Sequence, residues 1–376
     1  MNQRRKKHIA PAPELPPGPV DWWLLAILLL ILCIGLLAVL SAGGPIGQKR
    51  FGDSYHFFQR QLQVMILGGG FIAFLSWVPR KFINKLHYCG IGISVFLLIL
   101  CLLIGQEVNG AQRWINFGFM TIQPMEFTRV ALVMYLAYFM SSKQGLVKEF
   151  WRGVFPALLV TGFICLLLML QPDYGGTFIM LTVLAFFFIA GGSKFFHLLI
   201  LFLICLGLGV FFIVSEPYRL ARVLAFFEPF ANAQGSGWQI VQSLYALGSG
   251  GIFGAGLGGS VQKIKYLPEA HNDFIMAIIG EETGFLGFTV VMVLFALFFY
   301  RCYLVVLGQK NLRDRFSAYG LTLVIAISFL FNLGVVLGSV PPKGVAMPFI
   351  SYGGSSLLAN MICAGLLLNY SRTARE

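Results

Sequence analysis

Apolar residues run through the chain in long blocks, broken by short segments that carry its charges, prolines and many of its glycines. The blocks are near 20 residues long, and at about 1.5 Å rise per residue a helix of that length crosses a hydrocarbon core of about 30 Å. Ten such blocks occur, at roughly 22–42, 61–78, 88–105, 125–141, 154–170, 178–192, 195–214, 274–300, 316–338 and 353–370. Runs such as Leu28–Leu32 and Phe186–Ile189 do not alternate, whereas a transmembrane β-barrel is written in alternating segments of about ten residues. The pattern therefore predicts an all-α polytopic membrane protein with about ten transmembrane helices. Residues 1–21 read as a basic, proline-rich tail, 22–370 as the ten-helix membrane domain and 371–376 as a second short tail. The first block exceeds a signal-peptide core and has no A-x-A-like site after it, so it is expected to be retained as a span.

Composition agrees with this reading. Of 376 residues, 58% are hydrophobic and 11% charged, against about 25% charged in soluble domains. Such a chain cannot cover a water-facing surface, which excludes a soluble globular enzyme, and it is too apolar for intrinsic disorder. An even number of spans puts both termini on one side. The Arg4–Lys7 run, Arg80, Lys81, Lys85, Lys143, Lys148, Arg152, Lys194, Arg301, Lys310, Arg313 and Arg315 then share that side, and the positive-inside rule makes it cytoplasmic. The net charge of +12 reads as topology and contact with anionic headgroups. No basic soluble domain exists, so nucleic acid is not an expected partner. The seven cysteines lie in or at the edges of apolar blocks without a C-x-x-C. They read as small hydrophobes rather than as disulfides or a zinc site.

Acidic residues point the other way. Asp53, Glu107, Glu126, Asp173, Glu216, Glu228, Glu269 and Asp273 fall in external loops or at the outer ends of spans, with Glu281 and Glu282 deeper in the eighth. Acid–base chemistry is thus expected to face outward, where no ATP is available. No phosphate-loop motif occurs, and the glycine-rich run Gly250–Gly259 lacks the lysine and the strand such a loop needs. It reads instead as a close-packed turn or re-entrant segment. A substrate must arrive already activated.

One long external loop, about 215–272, separates spans seven and eight. Within it, Ile240, Val241, Leu244 and Leu247 recur at helical spacing, predicting a short amphipathic helix at the interface. Asn272 is placed to cap the helix of the eighth span, with Asp273 in its first turn. There the helix dipole favours the ionised carboxylate, which can accept a proton from a substrate hydroxyl. An ordinary acidic helix start accounts for Asp273 equally well. Lys263 and Lys265, if extended, project to one side and can hold a phosphate; solvated loop lysines are the alternative. Glu126 and Arg129 are spaced to pair on one helix face, as functional intramembrane charges or as a tie between helices. Gln171-Pro172-Asp173, between spans five and six, is another external feature that a turn explains equally well, whereas the segments 341–344 and 348–356 are dense in proline and glycine, which predicts non-helical backbone buried in protein or lining a wet cavity.

Five segments then resemble, in order, the landmarks of the SEDS family (shape, elongation, division and sporulation): NGAQRWINFG, QPMEFTR, QPDYGGT, the run from QSLYALGSGG through YLPEAHNDF, and PPKGVAMPFISYGGSS. They span about residues 105–370, and GGSVQKIKYLPEAH is most similar to the division branch. The resemblance implies a peptidoglycan glycosyltransferase that polymerises lipid II at the outer face of the bacterial cytoplasmic membrane, at the division septum, releasing undecaprenyl pyrophosphate by an inverting transfer. It implies Asp273 as general base, with Glu269 and His271 at neighbouring motif positions. It also implies Arg113, Lys263 and Lys343 as cations for the pyrophosphate, with Lys265 and Arg219 weaker candidates, and Glu126 and Arg129 as further substrate-side residues. Arg129 departs from the family's lysine, keeping the charge but changing its geometry; Asn272 replaces a threonine. A divalent cation, Mg or Mn, can bridge pyrophosphate and carboxylates, but no ligand spacing selects one. The implied partners are a class B penicillin-binding protein, the division transpeptidase, and other division proteins. Rival readings are a lipid II flippase, a non-catalytic division scaffold and a different lipid-linked sugar transferase. The absence of an internal repeat and the clustering of charge on one side weigh against a transporter.

Overall fold

The computed structural model describes residues 18–373, apart from 109, 119–120, 215–216, 236, 266, 268–269 and 343. It is mostly helical, and each of the ten apolar blocks coincides with one long helix. These are α1 (Trp22–Phe51), α2 (His56–Trp77), α4 (His87–Ile104), α5 (Pro124–Ser142), α6 (Phe155–Leu170), α7 (Tyr174–Ala190), α8 (Phe195–Val214), α12 (Ile275–Leu307), α13 (Leu312–Val336) and α14 (Gly354–Ser371). Shorter helices are α3 (Arg80–Lys85), α9 (Pro217–Phe227), α10 (Trp238–Ser249) and α11 (Gln262–Lys265), and a π-helical turn at Phe150–Val154 leads into α6. Among the described residues, five helical segments are long and apolar enough to cross a membrane by themselves: α1, α4, the π-turn with α6, α12 and α13.

Local chemistry explains the boundaries. Asp21 caps α1 by accepting from the Leu24 amide, and Gly52 closes it in a left-handed conformation. Pro124 opens α5 in the first turn, where its missing N–H costs nothing. Asp173 caps α7 through the Gly176 amide, which accounts for the 171–173 segment as a turn.

The bundle packs around α5 and α14. Leu132, Val133, Leu136, Ala137 and Met140 of α5 are buried, and nearly every residue of α14 is buried. Apolar residues left exposed, such as Phe196 and Phe202 on α8 and Val290 and Val293 on α12, form the outward faces that a hydrocarbon solvent requires. One end of the bundle is tied by charge. Arg301 pairs with Asp21 at 2.6 Å, Arg80 with Asp314 at 3.0 Å, and the Gly18 amide donates to the Arg372 carbonyl at 2.7 Å. Both ends of the described chain therefore meet at that end, and α12, whose last turns carry Arg301, starts at the other.

Three expectations change. The all-α reading misses a small antiparallel sheet of β1 (Gln106–Val108), β2 (Ala111–Asn116) and β3 (Thr121–Ile122). Gly110, at φ +77°, makes its first turn, and Ala111 and Ile115 share its buried face. The amphipathic helix α10 exists, but Gln242 and Ser243 are buried along with Ile240 and Val241, and Ser243 donates to the Val336 carbonyl at 2.8 Å. It packs on α12 and α13 through both its apolar and some of its polar side chains. Lys263 lies in the helical turn α11, so it and Lys265 are not on an extended segment.

Candidate active site

Asp273 sits immediately before the start of α12, half-buried. The helix begins at Ile275 with Phe274 as its cap residue, so Asn272 is not the cap and Asp273 is not in the first turn. The backbone is held by tertiary contacts instead. The carbonyls of His271, Asn272 and Asp273, three in succession, accept from the Tyr352 amide at 3.0 Å, the Ser351 hydroxyl at 2.5 Å and the Asn332 side-chain amide at 2.8 Å. All three donors belong to α13 or to the 337–353 connector before α14. That connector is non-helical, as its prolines and glycines predict, and its backbone at Gly344 lies against the carboxylate. A Cβ added to Gly344 would stand 3.1 Å from Asp273 Oδ2, so even a methyl group would crowd the acid.

The connector is pressed down from below. Gly35 of α1 packs so closely on Phe349 and Ile350 that a Cβ there would meet the Phe349 carbonyl at 2.5 Å. Phe349 itself holds φ +65° while fully buried, a strained conformation that persists only where packing over-determines it.

His271 is 3% exposed, its ring tilted against those of Phe57 and Tyr352 with centroids 4.4 and 5.5 Å away. Burial, with Arg50 adding to it, pushes its pKa down to about 4. Burial thus disfavours the charged imidazolium two residues before Asp273.

A second cluster lies at the N-terminal end of α5. Glu126 and Arg129 pair at 2.6 Å, both buried, and Arg129 reaches Ser328 of α13 and Asn360 of α14 at 3.1 Å each. Arg113 of β2 donates to the Pro172 carbonyl, which brings the sheet onto the 171–173 turn. Ser355 joins this cluster to the first. It accepts from the Gln123 amide at 2.9 Å and lies four residues after Ser351, at most about 14 Å of extended chain.

Lys263 belongs to a third cluster. It pairs with Glu282 at 2.5 Å and bonds the Ser41 hydroxyl of α1 at 2.8 Å. Glu281 accepts from the Ser260 hydroxyl and from the Val261 amide at 2.9 Å. Both glutamates are therefore engaged by the 260–263 segment. Lys263 is committed to a carboxylate. Glu269 and Lys343 lie outside the described residues. Among the described residues no three His, Cys, Asp or Glu side chains converge as metal ligands.

Asn332 and Ser41 were not singled out from the sequence, and Ser351 entered only as part of the 348–356 segment. Asn332 left a signal, a lone amide within the apolar run of α13. Ser41 left none.

Comparison with known proteins adds the following. The family of cell cycle proteins FTSW_RODA_SPOVE matches residues 21–376. The chain is 42% identical to stage V sporulation protein E of Bacillus subtilis over 94% of this chain and 98% of that protein. It is 38% identical to a probable peptidoglycan glycosyltransferase FtsW of Coxiella burnetii over 93% and 95%. Its fold is similar to a chain from a structure on coordination of polymerization and crosslinking by a peptidoglycan synthase complex, with TM-score 0.77 and 28% identity over 94% and 98% of the two chains. The rod shape determining protein RodA of Thermus thermophilus gives TM-score 0.70 at 27% identity over 95% and 98%.

Proposed function

The chain belongs to the cell cycle protein family FTSW_RODA_SPOVE, and from that premise we propose that it is a peptidoglycan glycosyltransferase polymerising lipid II. It is a multi-pass membrane protein. Relatives named for this activity, at 38% identity over more than nine-tenths of the chain, support the reaction class. The observation that carries the site is Asp273, a half-buried carboxylate held at the bundle end opposite the chain termini.

In the proposed reaction Asp273 takes the proton from the 4-hydroxyl of the acceptor N-acetylglucosamine as that oxygen attacks the anomeric carbon of the donor N-acetylmuramic acid. The new C1–O bond forms opposite the breaking bond, inverting the anomeric configuration, and undecaprenyl pyrophosphate leaves with the electron pair. The donor brings its own leaving group, so no nucleotide is needed. Arg113 and Lys343 are the proposed cations for the developing pyrophosphate charge. Glu126 and Arg129 orient the α5–α13–α14 junction beside it. Lys263, already neutralised by Glu282, acts through the loop it anchors. Catalysis runs with a class B penicillin-binding protein that cross-links the product, on the outer face of the cytoplasmic membrane at the septum. The similarity to a sporulation protein extends the same chemistry to a wall built during sporulation.

The test is glycan synthesis from lipid II by the purified protein with its cognate transpeptidase, the partner having no glycosyltransferase of its own. Wild type is expected to make long glycan and a folded Asp273→Asn protein none. Equal product from both removes Asp273 as base. No product from either, with an intact complex, favours a lipid II flippase or a scaffold.

A further inference from the structure

We infer that Asn332 and Ser351 are positioning residues that fix the Asp273 carboxylate through its backbone; this rests on the reading of Asp273 as the base. Asn332 is 1% exposed and its Nδ2 spans two carbonyls, Asp273 and Val345, at 2.8 Å each. One side-chain amide thus ties the acid's own peptide to the residue after Gly344, whose backbone flanks the carboxylate. Ser351, 3% exposed, works one residue upstream. Its hydroxyl donates to the Asn272 carbonyl at 2.5 Å and accepts the Met347 amide at 2.8 Å. With Tyr352's amide on His271, three successive peptides are pinned, and the path of the chain on either side of Asp273 is fixed.

The residue types fit this task. A primary amide offers two donors from one uncharged nitrogen to two carbonyls. A carboxylate of the same shape would face both carbonyls with acceptors. Ser351 must donate and accept at once, which a hydroxyl does and a methyl group cannot. The need for such fixing follows from the position of Asp273 outside α12. The acid precedes the helix, and these tertiary bonds hold its backbone in place. A misplacement of about 1 Å at a reacting group costs roughly 10²-fold in rate.

Asn332→Asp and Ser351→Ala, assayed in the full complex with the transpeptidase partner, are expected to lower kcat roughly 10²-fold with KM for lipid II unchanged. Ser351→Thr, which keeps the hydroxyl, is expected to retain most of the activity. Folded protein is quantified by thermal melting and by recovery of the complex, so the rate is expressed per folded molecule. A purely structural role would lower recovery and leave kcat per folded molecule at the wild-type value; that result overturns the inference. So does a rise in KM alone, or a Ser351→Thr protein as inactive as Ser351→Ala. Asp273→Asn run in parallel separates the two readings. If it polymerises, the base assignment fails and the positioning role fails with it. If it is inactive while Asn332→Asp and Ser351→Ala turn over normally, the base stands and the positioning inference alone falls.

Discussion

Lys263 carries a charge where few charges survive. Its side chain is 3% exposed, and Glu282 beside it is 4% exposed, at 2.5 Å, with the Ser41 hydroxyl completing the contact. Removing one member of a buried pair strands the other, which typically costs about 3–5 kcal/mol, whereas replacing both with apolar side chains is often neutral. Lys263→Met is therefore expected to lower the thermal midpoint of the purified protein sharply, and Lys263→Met with Glu282→Leu to recover most of it. The double variant also separates two roles. If it is stable and still polymerises, the lysine's function is to anchor the loop; if stable and inactive, Lys263 acts on the pyrophosphate as its motif position implied. The sequence held half of this. Glu282 was visible as a charge deep in the eighth span and Lys263 as a lysine of the external loop, but their pairing depends on α11 being helical and on Ser41, one of many serines. By contrast, the Glu126–Arg129 pair was legible because both residues lie on one helix at the spacing that brings side chains together.

The α12 helix is broken where the glycine-rich segment meets it. Gly284 adopts φ 67° and ψ −167°, a region essentially reserved for glycine. The break frees backbone groups that the 250–259 segment takes up. The amides of Ala255 and Gly256 donate to the carbonyls of Glu281 and Glu282 at 2.9 and 3.0 Å, while the amides of Phe285 and Leu286 donate to Gly251 and Ile252 at 2.9 and 3.2 Å. Four of the freed groups are paired in this way, as backbone away from water demands. A Cβ on Gly284 would stand 2.4 Å from the Gly254 nitrogen, so Gly284→Ala meets both strain and a backbone clash. The strain by itself is worth about 1–3 kcal/mol; a clear fall in the thermal midpoint is expected. In Gly69→Ala, in the middle of α2 where an added Cβ meets nothing within 4 Å, the midpoint is expected to hold or rise, by about 0.5–1 kcal/mol of helix propensity. A Gly284→Ala protein as stable as wild type would show that the break is not required. The glycine run was readable as a place of close approach. Its partner was not, since nothing in the local sequence TGF marks a helix interruption. The β-hairpin was missed for a related reason: a few residues of strand between two apolar helices give too short a period to outweigh the helical pattern around them.

At the scale of the whole molecule the ten apolar blocks were the most legible feature, because burial in hydrocarbon writes a pattern about 20 residues long, far above the noise of individual propensities. Orientation is a separate question, carried by the basic residues at the bundle ends. The structure places residues 18 and 372 in contact and gathers Arg80, Arg301, Arg313 and Arg315 with Asp21, Asp314 and neighbouring carbonyls at that same end. Asp273 and the 337–353 connector lie at the other. Each Lys or Arg near an anionic leaflet is worth about 1 kcal/mol, so by the positive-inside rule a collar of this size is expected to keep its end in the cytoplasm. The polymerase reading depends on that orientation, because its glycan must be made where the wall is. Cysteines introduced singly at Gln234 and at Lys310 in intact cells test it with a membrane-impermeant maleimide. The Gln234→Cys protein is expected to label from outside, and the Lys310→Cys protein only after the membrane is opened. The native cysteines give a constant background, measured on the unsubstituted protein. The reverse pattern would put Asp273 in the cytoplasm, beside nucleotide-activated sugars and away from the wall, and an outward-facing polymerase would no longer be tenable whatever Asp273→Asn does in a detergent assay.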